Sequence, residues 1–284
     1  MAEQSVPAVL SREAVPGTRR ARRRATSLGV PVPVFQLALG TSLLLLWWFA
    51  SDRLVRALFV SDPLTVAQRV YTELVIERAI WAHLQVTLTE FAVGYIIGAS
   101  AAIVLGVVLG RSRFLSDVVQ PFIIGFYAIP KVALAPLFIV WFGLDMNSKI
   151  AMVTLFTFFI VFVNSYSGIR GIDEHFVNLA RLMGASRWDV IRKIMLPSAA
   201  PPILLGLRTS VPYGMIGAIV GEFMASNRGI GYTIYKSAQL LDTPGLFAGI
   251  VILVVVVILL TSVVALAERR AVRWMPQVET RVSI

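Results

Sequence analysis

The chain contains no cysteine in 284 residues, so it can form no disulfide, offer no thiol nucleophile and bind no metal through thiolate. That absence does not identify a compartment. Histidine occurs twice, as His83 and His175. No cluster of His, Asp and Glu recurs at metal-ligand or acid–base spacing, which argues against a membrane-embedded enzyme. The pattern G-x-x-x-x-G-K-[ST] is also missing, so the chain lacks the phosphate-cradling loop needed to hydrolyse ATP. Charge is scarce as well, at 15% of residues.

Apolar residues fill the space that charge leaves. They make up 57% of the chain, and the mean hydropathy of +0.78 is too high for one soluble domain of this length. The long uncharged runs predict an all-α, polytopic membrane protein with about six transmembrane helices, each needing roughly 20 residues to cross about 30 Å of hydrocarbon. The expected spans are 34–50, 86–110, 120–142, 150–168, 202–224 and 245–266. The fifth is the least regular, because Pro202, Arg208, Pro212 and Glu222 interrupt it.

Lysine and arginine set the expected orientation. Arg12, Arg19, Arg20 and Arg22 to Arg24, then Arg111 and Arg113, the 169–201 loop and the tail from Arg269 all fall on one side. They outnumber the opposite side's basic residues, so the positive-inside rule places both termini in the cytoplasm. The chain divides into a basic cytoplasmic arm at 1–33 without stable structure, a transmembrane domain at 34–274 and a tail at 275–284. A net charge of +10 with RRARRR in the arm could point to nucleic acid. Topology and inner-leaflet electrostatics account for the charge, and no nucleic-acid partner is expected. A cleaved signal peptide is not expected either, since no A-x-A-like site follows Ala50 and Trp47 with Trp48 read as interfacial anchors.

One amphipathic segment, 173–197, stands out from the apolar runs. Asp173 is placed to cap a short helix with Phe176, Leu179, Ala180 and Met183 at helical spacing. Gly184 suits a left-handed helix end. Ser186 and Asp189 match a short capping box that starts a second helix carrying Trp188, Ile191, Ile194 and Met195, which Pro197 is expected to end. The result is a knob at the inner surface. Periodicity leaves two readings open, a loop resting in lipid headgroups and a docking element for a cytoplasmic partner.

The spacing Ala180, three residues, Gly184, nine residues, Ile194, one residue, Leu196, Pro197 resembles the EAA motif of ATP-binding cassette importer permeases, EAA-x3-G-x9-I-x-LP. Asn178 and Leu179 stand where the motif usually has Glu and its first Ala. The stretches GFYAIPKVALAPLFIVWFGL (125–144), GASRWDVIRKIMLPSAAPPILLGLR (184–208), IVGEFMASNRGIGYTIYKS (219–237) and LAERRAVRW (266–274) are similar to the nitrate, sulfonate and taurine group of these permeases, and the likeness runs from about Val34 to Trp274.

This resemblance implies a type I importer permease fold in a bacterial inner membrane, working as a homodimer with two ATPase subunits and an external solute-binding protein. ATP and Mg would be bound by the partner ATPase, and this chain would carry no cofactor or metal. Alternating access follows, with the 173–197 loop as a lever between the ATPases and the spans. Its coupling residues would be Asn178, Leu179, Ala180, Leu182, Met183, Gly184, Ala185, Ser186, Ile194, Leu196 and Pro197. The solute implied is a small anion such as a sulfonate, taurine or nitrate, with pyrimidine-type vitamin precursors served by close relatives. The alternative, an ion-gradient-driven secondary transporter, would show inverted repeats and paired broken helices, which the sequence does not.

Charges inside the spans are costly and therefore candidates for function. Lys131, beside Pro130 where a kink is expected, either attracts an anionic solute or pairs with an acid or a freed carbonyl at the dimer seam. Glu222, a further pathway candidate, is otherwise expected to be solvated or paired with Arg228 at a helix end. Arg208 and Glu90 are expected to snorkel, and His83 to be exposed in a loop. Gly94, Gly98, Gly106 and Gly110 form two GxxxG pairs, expected to serve close helix packing. The segment 52–85 is expected to lie on the outer surface, partly as a helix.

Overall fold

A computed structural model describes residues 31–51 and 59–271. The basic arm up to residue 30, Arg53, Arg56 and the tail beyond Ala271 lie outside the described residues. What is described is all helix and turn. Five helices are long and apolar enough to cross a membrane.

The first, α1 (Val32–Ala50), is apolar on every side and buries none of its residues. A helix without a polar face is suited to lipid; near its end Trp47 Nε1 donates to Ser61 O at 2.9 Å and the Trp47 ring lies 5.6 Å from that of Phe247. After the undescribed 52–58 comes α2 (Pro63–Tyr71), capped by Asp62, whose side chain accepts from Thr65 N at 3.0 Å. It runs through a π turn (Thr72–Ile76) and packs on the last helix, with Arg69 linked to Glu73 at 3.1 Å and to Asp242 at 3.3 Å.

The centre of the molecule is α3 (Ile80–Gly110), α6 (Met146–Arg170) and α9 (Leu196–Ala225). Glycines explain how closely they approach. A Cβ on Gly94 would lie 2.6 Å from Val153 Cβ, on Gly98 2.6 Å from Thr154 O, and on Gly106 2.7 Å from Ser165 Cβ. The matched positions rise together, so α3 and α6 run parallel, and the two GxxxG pairs pack within this chain. Along α9 the order reverses, Gly206 facing Asn164 and Gly221 facing Lys149, so α9 is antiparallel to α6. The inner prolines Pro201, Pro202 and Pro212 do not break α9; Pro202 instead packs on Gly168 of α6.

The expected third span, 120–142, is not one helix. It is α4 (Arg113–Ala128), an extended Ile129–Pro130, a 3-10 turn (Lys131–Leu134) and α5 (Ala135–Phe142). Pro130 has no N–H to donate and forces Ile129 into extended backbone at ψ 126°, so the helix must stop there. Gly143, at φ +81°, closes α5.

Beyond α6 the chain forms α7 (Glu174–Leu182) and α8 (Arg187–Val190), and after α9 it forms α10 (Ile230–Gln239) and α11 (Thr243–Ala271). The largest buried cluster joins Phe91, Val153, Met215, Ile219, Ile230 and Ile252, so α3, α6, α9, α10 and α11 share one core.

Candidate functional site

The knob forms at the end of α3 and α6, and each of its turns has a local cause. The Asp173 side chain accepts from His175 N at 2.9 Å and starts α7. Gly184, at φ +84°, ends it: Ala185 N donates to Ala180 O and Gly184 N to Arg181 O, each at 3.0 Å, the paired bonds of a Schellman motif. Ser186 then caps α8. Its Oγ accepts from Asp189 N at 3.1 Å, while Asp189 Oδ2 accepts from Ser186 N at 3.3 Å and Asp189 Oδ1 pairs with Lys193 Nζ at 2.7 Å.

Pro197 does not end the second helix. α8 passes through a π turn (Ile191–Met195) straight into α9, and Pro197 falls in the first turn of α9. The π turn shifts the bonding so that Leu196 N reaches back to Ile191 O. A wider turn at this point accommodates a ring that would otherwise crowd the carbonyl four residues earlier. The knob is therefore a rigid extension of α9.

The apolar residues of the knob divide into two sets. Val190 and Met195 are buried, and with Val177, Ala180, Ala185 and Ile191 they pack on Ile169, Ala199 and Ile203. The other set faces away from the protein: Leu182 is 86% and Met183 81% exposed, with Phe176, Leu179 and Trp188 also exposed. Asn178, Gly184 and Ser186 are also exposed, while Ile194 and Pro197 are half-buried and Leu196 is 38% exposed. Burying one such large side chain stabilises by about 1.5–3 kcal/mol, so an open face of this kind favours a partner.

Pro130 and Lys131 sit at the break between α4 and α5. Lys131 is half-buried, and its Nζ lies 5.0 Å over the Phe159 ring of α6. Glu222 is elsewhere, at the opposite end of α9 from Pro197, and only 1% exposed. It is neither solvated nor paired with Arg228. Its Oε1 accepts from Thr87 Oγ1 at 2.6 Å and its Oε2 from Gly231 N at 2.5 Å.

This far end contains groups that sequence reasoning missed. Thr87 Oγ1 also accepts from Ile230 N at 2.9 Å, and His83 Nδ1 accepts from Gly229 N at 3.0 Å. Three successive amides of the α9–α10 turn are thus held by three side chains. Gly229, at φ +114°, has no room for a side chain because Glu222 fills that space. His83 is a helix residue and not an exposed loop residue. Glu90 does not snorkel; it is 2% exposed beside Glu222. Lys149 is 2% exposed and donates to the carbonyls of Leu144, Asp145 and Ala225, joining the start of α6 to the end of α9. One signal was present in the sequence: His83, Thr87 and Glu90 continue the helical face that carries Gly94 and Gly98.

Residues 94–273, which include the knob and the far-end turn, match the family of binding-protein-dependent transport system inner membrane components. The chain belongs to that family. Among relatives of this permease, the putative aliphatic sulfonates transport permease protein SsuC of Bacillus subtilis is 35% identical over 79% of this chain and 81% of its own length. The formylaminopyrimidine transport permease protein ThiX of Halalkalibacterium halodurans is 33% identical over 74% of this chain and 84% of its own. A bacterial alginate ABC transporter, solved in complex with an alginate pentasaccharide-bound periplasmic protein, shares the fold: its matched chain has a TM-score of 0.56 at 17% identity, with 84% of this chain and 96% of that one covered. The fold is that of type I ABC importer permeases, and the protein is a multi-pass membrane permease.

Proposed function

We propose that this permease forms the translocation pathway of an ATP-driven importer for a small anionic solute of the sulfonate, taurine or nitrate kind. An external solute-binding protein delivers the solute, two ATPase subunits supply the energy, and a second copy of the permease completes the pathway. The putative aliphatic sulfonates permease that is 35% identical supports the solute class; the formylaminopyrimidine relative marks a competing class. Family membership gives no support to the ion-gradient alternative.

The observation that carries the coupling role is the open apolar face of the knob. Phe176, Leu179, Leu182 and Met183 project from a bracket fixed by the Asp173 cap, the Gly184 turn and the Ser186 capping box. A docked ATPase would push on α7 and α8, and the unbroken path into α9 would carry that push along a spanning helix. Lys131, at the break between α4 and α5, is the candidate for meeting the anion, and both termini lie in the cytoplasm with the knob.

Co-purification tests this directly. Gly184→Pro should abolish recovery of the ATPase, because proline cannot adopt the positive φ of the turn, while the permease still reaches the membrane. Full recovery of the ATPase and normal transport by this variant would refute the docking role.

A further inference from the structure

Behind the knob's open face lies a cavity of about 600 Å³, whose lining includes Arg111, Arg170, Arg181 and Arg187 with the Asn178 amide beside them. The four arginines arrive from four places: just after α3, the last residue of α6, the last turn of α7 and the first residue of α8. Among the described residues no aspartate or glutamate lines the cavity. None of the four takes part in an ion pair among the described residues. Asp189 is engaged by Lys193 and Ser186, and Asp173 by the start of α7.

Helix electrostatics explain part of this set and not the whole. Arg111, Arg170 and Arg181 each sit at a helix C-terminus, where a cation is favourable. Arg187 opens α8, where the dipole opposes it. Four guanidinium groups around one cavity also repel one another. Position 178 adds an uncharged amide, so the described lining carries donors and no acid.

We propose that this cavity binds a phosphate group, carried on an anionic lipid headgroup or free in solution. Guanidinium forks match phosphate oxygens in pairs. Arg111 and Arg170 directly close two membrane spans, which puts the cavity at headgroup level, where basic pockets between helix ends take anionic lipids. Ile169 and Met195 also line the cavity and offer apolar contact to the start of a lipid's acyl chains. A bound phosphate bridges the knob to the ends of α3 and α6, and so fastens the lever to the spans. The site does not depend on the ATPase-docking reading.

The test is native mass spectrometry of the full-length protein titrated with dioleoylphosphatidylglycerol, dioleoylphosphatidylcholine and inorganic phosphate. Phosphatidylglycerol should be retained in preference to phosphatidylcholine. The pair Arg170→Gln with Arg187→Gln should weaken retention roughly 25-fold, and Asn178→Glu should weaken it in the same direction. Removing equal charge outside the cavity, Arg192→Gln with Arg270→Gln, should leave it unchanged. If millimolar inorganic phosphate displaces the lipid, the free anion is the ligand; if it does not, the lipid is. Equal retention of both lipids without phosphate binding, or an equal loss from the outside pair, overturns the proposal. So does a cavity pair that keeps its lipid and loses only the ATPase, because the arginines would then serve an acidic protein surface.

Discussion

The two ends of α9 handle polarity in opposite ways. At its far end Glu222, Thr87, Glu90 and Lys149 are turned inward, each at most 2% exposed, and the α9–α10 turn is closed by their hydrogen bonds. At the knob end Leu182 and Met183 are turned outward, each more than four-fifths exposed. Charged groups are enclosed where apolar ones are expected, and apolar groups are exposed where charged ones are expected. Of these four buried side chains only Glu90 has an oxygen, Oε2, without a hydrogen-bond partner, so this end is nearly complete within the chain. An end that leaves its apolar groups open has a face that a partner can cover, as the proposed docking role requires.

Variants that cross this division should separate stability from assembly. The largest effect is expected from Leu182→Asp with Met183→Asp, which puts two charges on the open face. An unpaired buried charge costs about 3–5 kcal/mol, so ATPase affinity should fall at least a hundredfold while the melting temperature of the isolated permease stays put. A drop in melting temperature of the permease alone would show that this face is already covered within the chain.

Glu222→Leu should do the reverse. It strips the acceptor from Thr87 and from Gly231 N, and leaving buried donors unmet costs about 1–3 kcal/mol each. Thermal stability should fall by several degrees or more, while the folded fraction still binds the ATPase normally. Selective loss of ATPase binding at unchanged stability would break the division between the two ends.

Thr87→Val is a smaller version of the same test. The hydroxyl donates to Glu222 and accepts from Ile230 N, so its removal should destabilise by about 1–3 kcal/mol and speed amide exchange in the 226–231 turn. Unchanged exchange there would mean the turn does not rely on α3. The smallest effect belongs to Gly184→Ala. A Cβ at this position meets nothing within 4 Å, so only the positive φ resists it, at about 1–2 kcal/mol. ATPase recovery should be weakened but measurable, between that of the native protein and Gly184→Pro.

The two ends also differed in how far the sequence revealed them. The knob was legible because its devices are local: Asp173, Gly184, Ser186 and Asp189 act within a few residues, and caps leave a pattern in sequence. Pro197 misled because its usual role as a stop was overridden by a π turn that has no sequence signature. The spans were legible from hydropathy, except that Pro130 broke the third completely where a kink was expected. The far end was not legible because its partners are remote. Thr87 meets Glu222 across 135 positions and Lys149 reaches Ala225 across 76, so each looked like an isolated charge or hydroxyl near a helix end.

The docking role of the knob is tested most directly by a photo-reactive residue, p-benzoylphenylalanine, placed at position 182 in the intact transporter in its native membrane. Irradiation should join the permease to its ATP-hydrolysing subunit, and the same residue at Ile219, buried at 8% exposure in the core, should give no such product. Adducts with lipid alone from position 182 would contradict the account and leave the knob as a loop resting on the bilayer.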